Sequence, residues 1–155
     1  NPAYCYGIPT YSMAVDTLST QYQENGNDSI ALKCKPINSA STTEGAFYVK
    51  NGYMTFVPTF SYGNSPVYFG LYYDSEKDVN AEAGSLNMNL YFNNSLENSV
   101  SSSGASSVSL KMPSELYMEY MQKDSIDLIL NFKSSSSQSP LKCRMAVSDF
   151  MAPSY

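Results

Sequence analysis

The chain has 155 residues, a formal net charge of −5, no histidine, no tryptophan and a single arginine, Arg144. This length fits one domain, residues 1–155, with a hydrophobic core of its own. The lack of histidine excludes Ser–His and Cys–His nucleophile pairs. The acidic balance and the scattered lysines argue against direct binding of nucleic acid.

Alternation of apolar and polar residues predicts strands along most of the chain. The clearest case runs from Ser85 to Phe92, with leucine, methionine and phenylalanine on one face and asparagine and tyrosine on the other. The Asn51-Gly52 pair predicts a tight hairpin whose returning strand ends at Pro58. In chain order the predicted strands cover 11–18, 29–35, 45–50, 53–57, 66–74, 85–92, 106–112, 126–133 and 142–150.

One short helix is predicted after Pro113, with Ser114 as its capping residue. The serine-rich segments 99–107 and 134–139 are predicted to be polar loops. A single early hairpin followed by longer connections favours Greek-key topology over a simple meander. The fold class that follows is all-β, an antiparallel β-sandwich of jelly-roll type with one short helix.

The three cysteines, Cys5, Cys34 and Cys143, are far apart in the sequence. Three free thiols in a reducing compartment are the simpler explanation, and a single bridge between two of them stays open. No apolar run reaches the ~18 residues that a membrane span needs. The start at Asn1, without methionine or a signal sequence, predicts a processed or excised piece.

An acidic cluster follows the aromatic strand, from Asp74 to Asp78. Carboxylate oxygens are the ligands that Ca²⁺ prefers, so the acidic side chains of this cluster are a candidate metal site. Their spacing differs from that of an EF-hand loop. A solvated loop at a strand end is the competing interpretation.

Tyrosine supplies most of the aromatic residues, and several tyrosines fall at turns or outside the apolar alternation. Tyr53, Tyr62, Tyr72 and Tyr91 are the candidate binding residues. Exposed tyrosine with asparagine and serine can bind glycans or a protein receptor, and it can equally form subunit interfaces. The alternative is that about half of the tyrosines belong to the core with the hydroxyl at its rim.

The segment from Val67 to Asp74 reads VYFGLYYD, and Asp78 follows four residues later. It resembles a strand of the jelly-roll coat proteins of small icosahedral RNA viruses, where a glycine-bearing apolar strand runs into Tyr-Asp. In some of those families the acidic loop contributes to Ca²⁺ at subunit interfaces. The resemblance therefore implies a Ca²⁺ role for Asp74 and Asp78. The chain departs from those proteins in having no Lys/Arg-rich arm.

The leading hypothesis is a viral structural protein without enzymatic activity, either a capsid subunit or a projecting attachment domain of the virion. It would self-assemble with its own copies or other structural chains and meet a host glycan or receptor. The alternative is a carbohydrate- or receptor-binding module of a phage fibre or microbial surface protein, located at the extracellular surface. A hydrolase with two opposed carboxylates is the third hypothesis.

Overall fold

The structure, a computed structural model, describes residues 34–62, 67–93 and 102–151. The predicted strand at 11–18 and most of the one at 29–35 lie outside the described residues. Within those residues the chain forms eleven strands, an α-helix and a 3₁₀ helix. They are β1 Ser39–Ala40, β2 Tyr48–Lys50, β3 Tyr53–Phe56, β4 Pro58–Tyr62, β5 Tyr68–Tyr72, β6 Val79–Asn80, β7 Ser85–Asn93, β8 Ser102–Ala105, β9 Val108–Lys111, α1 Leu116–Tyr120, β10 Ser125–Asn131, β11 Leu141–Ala146 and the 3₁₀ helix Val147–Phe150.

The strands form three sheets, ordered β1-β4-β8, β2-β3-β9 and β11-β10-β7-β5, with β6 added beside β7 in the last. We call this last one the main sheet. The prediction of an all-β sandwich with one short helix is confirmed. Most neighbouring strands are not consecutive in sequence, so the sheets are not a simple meander, as predicted.

Aromatic rings join the sheets through their buried faces. Phe60 of β4 meets Phe69 of β5 edge to face, with ring centroids 5.2 Å apart, and Phe92 of β7 at 5.7 Å. Such offset and edge-on arrangements are the favourable ones for aromatic pairs. These rings belong to one hydrophobic cluster that draws on all three sheets.

Strand β7 sets the orientation of the main sheet. Its burial alternates strictly along all nine residues, with Leu86, Met88, Leu90 and Phe92 buried. It pairs antiparallel with β5 and parallel with β10. The parallel pair departs from a purely antiparallel sandwich, because the chain reaches β10 through a long crossover that includes α1.

The predicted hairpin is confirmed. Lys50 pairs with Tyr53, and the two loop residues Asn51 and Gly52 have φ values of 52° and 87°. Positive φ at both loop residues is what a type I′ turn requires. The sequence predicted that the extended segment ends at Pro58. In the structure Pro58 instead begins β4. Proline cannot donate to a ladder, so the chain changes sheets at this residue.

Two segments differ from the predictions made for them. Residues 102–105, predicted as loop, form β8, which pairs with β4 in register Phe60↔Gly104. Its small polar residues carry no apolar alternation, so periodicity could not reveal it. The predicted last strand 142–150 ends at Ala146, and the 3₁₀ helix after it brings Phe150 into a stack on Tyr120 at 5.8 Å.

The short helix α1 lies where the sequence predicted it, but its first residue is capped differently. The capping position is Glu115, not Ser114, and no side chain bonds to the helix start there. Leu116 and Tyr120 are the buried residues of α1. Within the described ranges, no helix has the length and apolar character needed to cross a bilayer.

Two hydroxyls are buried side by side between β3 and β9. Thr55 and Ser109 are register partners, and their oxygens lie 2.8 Å apart. Ser109 is fully buried and Thr55 nearly so. Each hydroxyl therefore depends on the other for its hydrogen bond.

We expect Thr55→Val alone to lower the free energy of unfolding by about 1–3 kcal/mol, because it leaves the Ser109 hydroxyl buried without its partner. Ser109→Ala should act similarly. The double variant should lose less than the sum of the two single losses, since it removes both polar groups together. Urea denaturation of the four proteins measures this coupling, and strict additivity would contradict it.

Candidate functional site

The outward side of the main sheet collects polar side chains, and we call it the outer face. It follows from the alternation of β7, β10 and β11, whose even and odd residues point to opposite sides. Strand pairing sets these outward residues in rows across the sheet. The outer face consists of Ser85, Asn87, Asn89, Tyr91, Asn93, Asp127, Ile129, Asn131, Lys142 and Arg144.

Asparagine amides form the centre of the outer face. The Asn131 amide nitrogen donates to the Asn87 side-chain oxygen at 3.1 Å. Both residues are half-buried. Within the described ranges the Asn87 amide nitrogen and the Asn131 amide oxygen have no hydrogen-bond partner. A donor and an acceptor thus stand beside each other on a partly desolvated surface.

Asn89 is oriented by its neighbours on both sides. Its amide nitrogen donates to the Tyr72 carbonyl at 3.2 Å and to the Asp78 carboxylate at 3.0 Å. Both amide hydrogens are then used, so the amide oxygen points the other way. Asn89 pairs in register with Asn131, which extends the amide row from β7 to β10.

Two shallow depressions open along this face. One, of about 310 Å³, is lined by Ser85, Asp127, Ile129, Lys142 and Cys143. The second, of about 210 Å³, is lined by Tyr72, Asn89, Asn131 and Lys133 together with Cys34, Leu90 and Phe132. Ser85 and Asn89 are four residues apart on β7, a distance of about 13 Å at ~3.3 Å per residue. Asn87 lies between the two depressions on β7, and its hydrogen-bond partner Asn131 lines the second one.

An ion pair lies at one end of the outer face. The Arg144 guanidinium contacts the Asp127 carboxylate at 2.9 Å and donates through Nε to the Ser125 hydroxyl at 3.1 Å. Both charged side chains are about 60% exposed, at 63% and 60%. Water therefore screens the pair, and its contribution to folding stability is small.

The predicted metal ligands are used as hydrogen-bond acceptors within their own loop. Asp78 accepts from the Asp74 backbone amide at 2.8 Å, and Asp74 accepts from the Glu76 amide at 2.8 Å. Asp78 also holds Asn89, as described above. No group of three or more Cys, Asp or Glu side chains in the described ranges comes together as a metal site. Ca²⁺ binding at this loop stays a prediction.

The four candidate tyrosines do not form one cluster. Tyr72 and Tyr91 belong to the main sheet, where Tyr72 is buried beside Asn89 and Tyr91 is half-buried opposite Gly70. Tyr62 lies on β4, with its ring against Gly104. Tyr53 lies on β3 in another sheet. Of the four predicted tyrosines, Tyr91 belongs to the outer face, and Tyr72 is the register partner of Asn89 beside it.

The two described cysteines, Cys34 and Cys143, are free. The Cys34 thiol donates to the Leu90 carbonyl at 3.3 Å, and burial raises its pKa. Burial also raises the pKa of Cys143 to about 11, and the Asp127 carboxylate acts in the same direction. Both thiols stay protonated near neutral pH, so they are weak nucleophiles and metal ligands.

Sequence reasoning identified Asn87, Asn89 and Tyr91 as outward residues but did not assign them a common site with β10. Asn131 falls within the predicted strand 126–133. The missing information was the parallel pairing of β7 with β10, which no local pattern encodes. The Arg144–Asp127 pair depends instead on the antiparallel pairing of β10 with β11, which sets these two residues opposite each other.

Comparison with known proteins gives a fold but no family. No family model and no curated protein matches the chain. A Parabacteroides distasonis structure described as toxin-related matches with a TM-score of 0.52 at 14% identity, over 73% of this chain and 53% of that one. A Bacteroides vulgatus protein of unknown function gives 0.47 at 14% identity, over 77% and 51%. The chain spans about half the length of these two proteins, and the first likeness shows the fold alone.

We expect Asp78→Ala to lower the free energy of unfolding by about 1–3 kcal/mol, because the Asp74 amide and Asn89 lose their common acceptor. Thermal melts should show the same loss of stability, relative to the parent protein, in Ca²⁺ and in EDTA. Glu76→Ala, in the same loop, is the control and should change stability by less than about 0.5 kcal/mol. A parent protein that Ca²⁺ stabilises, and an Asp78→Ala variant that it does not, would instead establish the metal site.

Proposed function

We propose that this chain is a non-catalytic recognition module of a microbial surface protein and that it binds carbohydrate through the outer face. The observation that carries this is the Asn87–Asn131 pair, which holds an open donor and an open acceptor side by side.

The chemistry of the outer face suits sugars. A sugar hydroxyl both donates and accepts, and an asparagine amide offers both functions on one rigid plane. On the outer face Asn87 offers its amide nitrogen as a donor, and Asn89 and Asn131 offer their amide oxygens as acceptors. Tyr91 adds an aromatic ring, whose apolar face can lie against the C–H side of a sugar.

Orientation of the amides before binding favours affinity. The Asn87–Asn131 and Asn89–Asp78 hydrogen bonds hold the amides, so a ligand does not have to order them. The two depressions, about 13 Å apart along β7, favour an oligosaccharide over a single ring. An extended ligand could occupy both while crossing the amide pair.

The hypothesis of a virion structural protein stays a prediction. Its capsid form requires large closed assemblies, whereas a projecting attachment domain or a recognition module needs no more than a small oligomer. Light scattering on the purified native protein separates these outcomes. The hydrolase hypothesis needs two convergent carboxylates, and on the outer face Asp127 is already held by Arg144.

We expect Asn87→Ala and Asn131→Ala each to weaken oligosaccharide binding by about tenfold to a hundredfold, because each removes amide contacts to the ligand. A glycan array should first identify the bound oligosaccharides. Isothermal titration calorimetry should then compare the variants with the parent protein.

Asn38→Ala is the matched control, since Asn38 is a half-buried asparagine that donates to Ser103 away from the outer face. Its affinity for the oligosaccharide should equal that of the parent. Equal weakening by all three variants, or an array without any bound glycan, would overturn the proposed function.

A further inference from the structure

Two lysines flank the Arg144 end of the outer face. Lys142 lines the 310 Å³ depression together with Asp127, and Lys123 lines a neighbouring depression of about 350 Å³ together with Asp124, Ser125 and Arg144. Neither ammonium has a hydrogen bond or ion pair in the part of the chain that the structure describes. Lys142 stands opposite Ile129 on the next strand, which offers no charge.

A glycine sets the position of Lys123. A Cβ at Gly84 would come within 3.1 Å of the Lys123 Cδ and 3.3 Å of its Cε. The lysine stem therefore lies against a backbone that only glycine leaves open, and φ at this residue is +69°. The stem packs there, and the ammonium lies by the 350 Å³ depression that Lys123 lines.

The local charge opposes that of the whole chain. The net charge is −5, yet this end of the outer face holds three cations, Lys123, Lys142 and Arg144, against the two carboxylates of Asp124 and Asp127. Arg144 uses Nε and one terminal nitrogen in the contacts described above. Its guanidinium has further N–H groups to offer a ligand.

We propose that this end of the outer face binds the carboxylate of an acidic sugar, so that the ligand class is a uronic-acid oligosaccharide. The carboxylate would lie by Arg144 between Lys123 and Lys142, while neighbouring sugar rings meet the asparagine amides. This inference rests on the proposed function. It adds to the proposed function that the ligand is negatively charged, because neutral amides do not distinguish charged from uncharged sugars.

The test compares ligands that differ only in charge. Galacturonate, glucuronate and mannuronate trisaccharides are each titrated as the free acid and as the methyl ester. At least one free acid should bind about tenfold or more tightly than its ester, as a charged hydrogen bond is stronger than a neutral one. Salt should weaken binding of the acid and leave binding of the ester unchanged.

Charge-removing variants locate the contact. Lys142→Gln and Lys123→Gln should each weaken binding of the acid about fivefold to tenfold and leave the ester unaffected. Lys50→Gln, an exposed lysine on β2, is the control and should change neither. All three are surface substitutions, for which the fold should hold.

The outcomes separate the two claims. Acid and ester that bind equally, with Asn87→Ala still weakening both, would overturn the acidic-sugar inference and keep the proposed function. If Lys142→Gln and Lys123→Gln both still bind the acid more tightly than the ester by the parent's ratio, the acidic-sugar inference is also overturned. Absence of binding across this panel and across a general glycan array would overturn the proposed function itself.

Discussion

The parallel pairing of β7 with β10 is the constraint on which the surface chemistry of this protein depends. Burial of alternate residues on β7 determines which side of the main sheet faces the core. The register with β10 then determines which outward side chains stand together, and it sets Asn89 beside Asn131. A slip of one residue would turn the amides of one strand into the core, so the buried apolar residues also protect the polar site.

The outer face changes character along its length. Neutral amides and Tyr91 occupy one part, and Lys142 and the Arg144–Asp127 pair occupy the other. Exposed ion pairs contribute little to stability, so these charges are poorly explained by folding alone. The amides likewise leave polar atoms without partners in the described part of the chain. Both features suit contact with a polar ligand.

Local patterns predicted much of the fold because they reflect local physics. The Asn51-Gly52 turn and the alternation of β7 followed from single segments. Strand β8 was missed because serine and glycine carry no periodic signal. The 3₁₀ helix replaces only the end of the last predicted strand, where Phe150 packs on Tyr120. The site was only half predictable, since tyrosine exposure and strand pairing depend on tertiary contacts.

Side-chain amide NMR tests most directly whether the outer face binds carbohydrate. An oligosaccharide found by array is titrated into ¹⁵N-labelled protein, and the Asn87, Asn89 and Asn131 side-chain signals are followed. We expect these signals to shift together with a common saturation curve, while that of Asn38 stays in place. Shifts confined to residues outside the main sheet, or no shifts at saturating ligand, would contradict a binding site on the outer face.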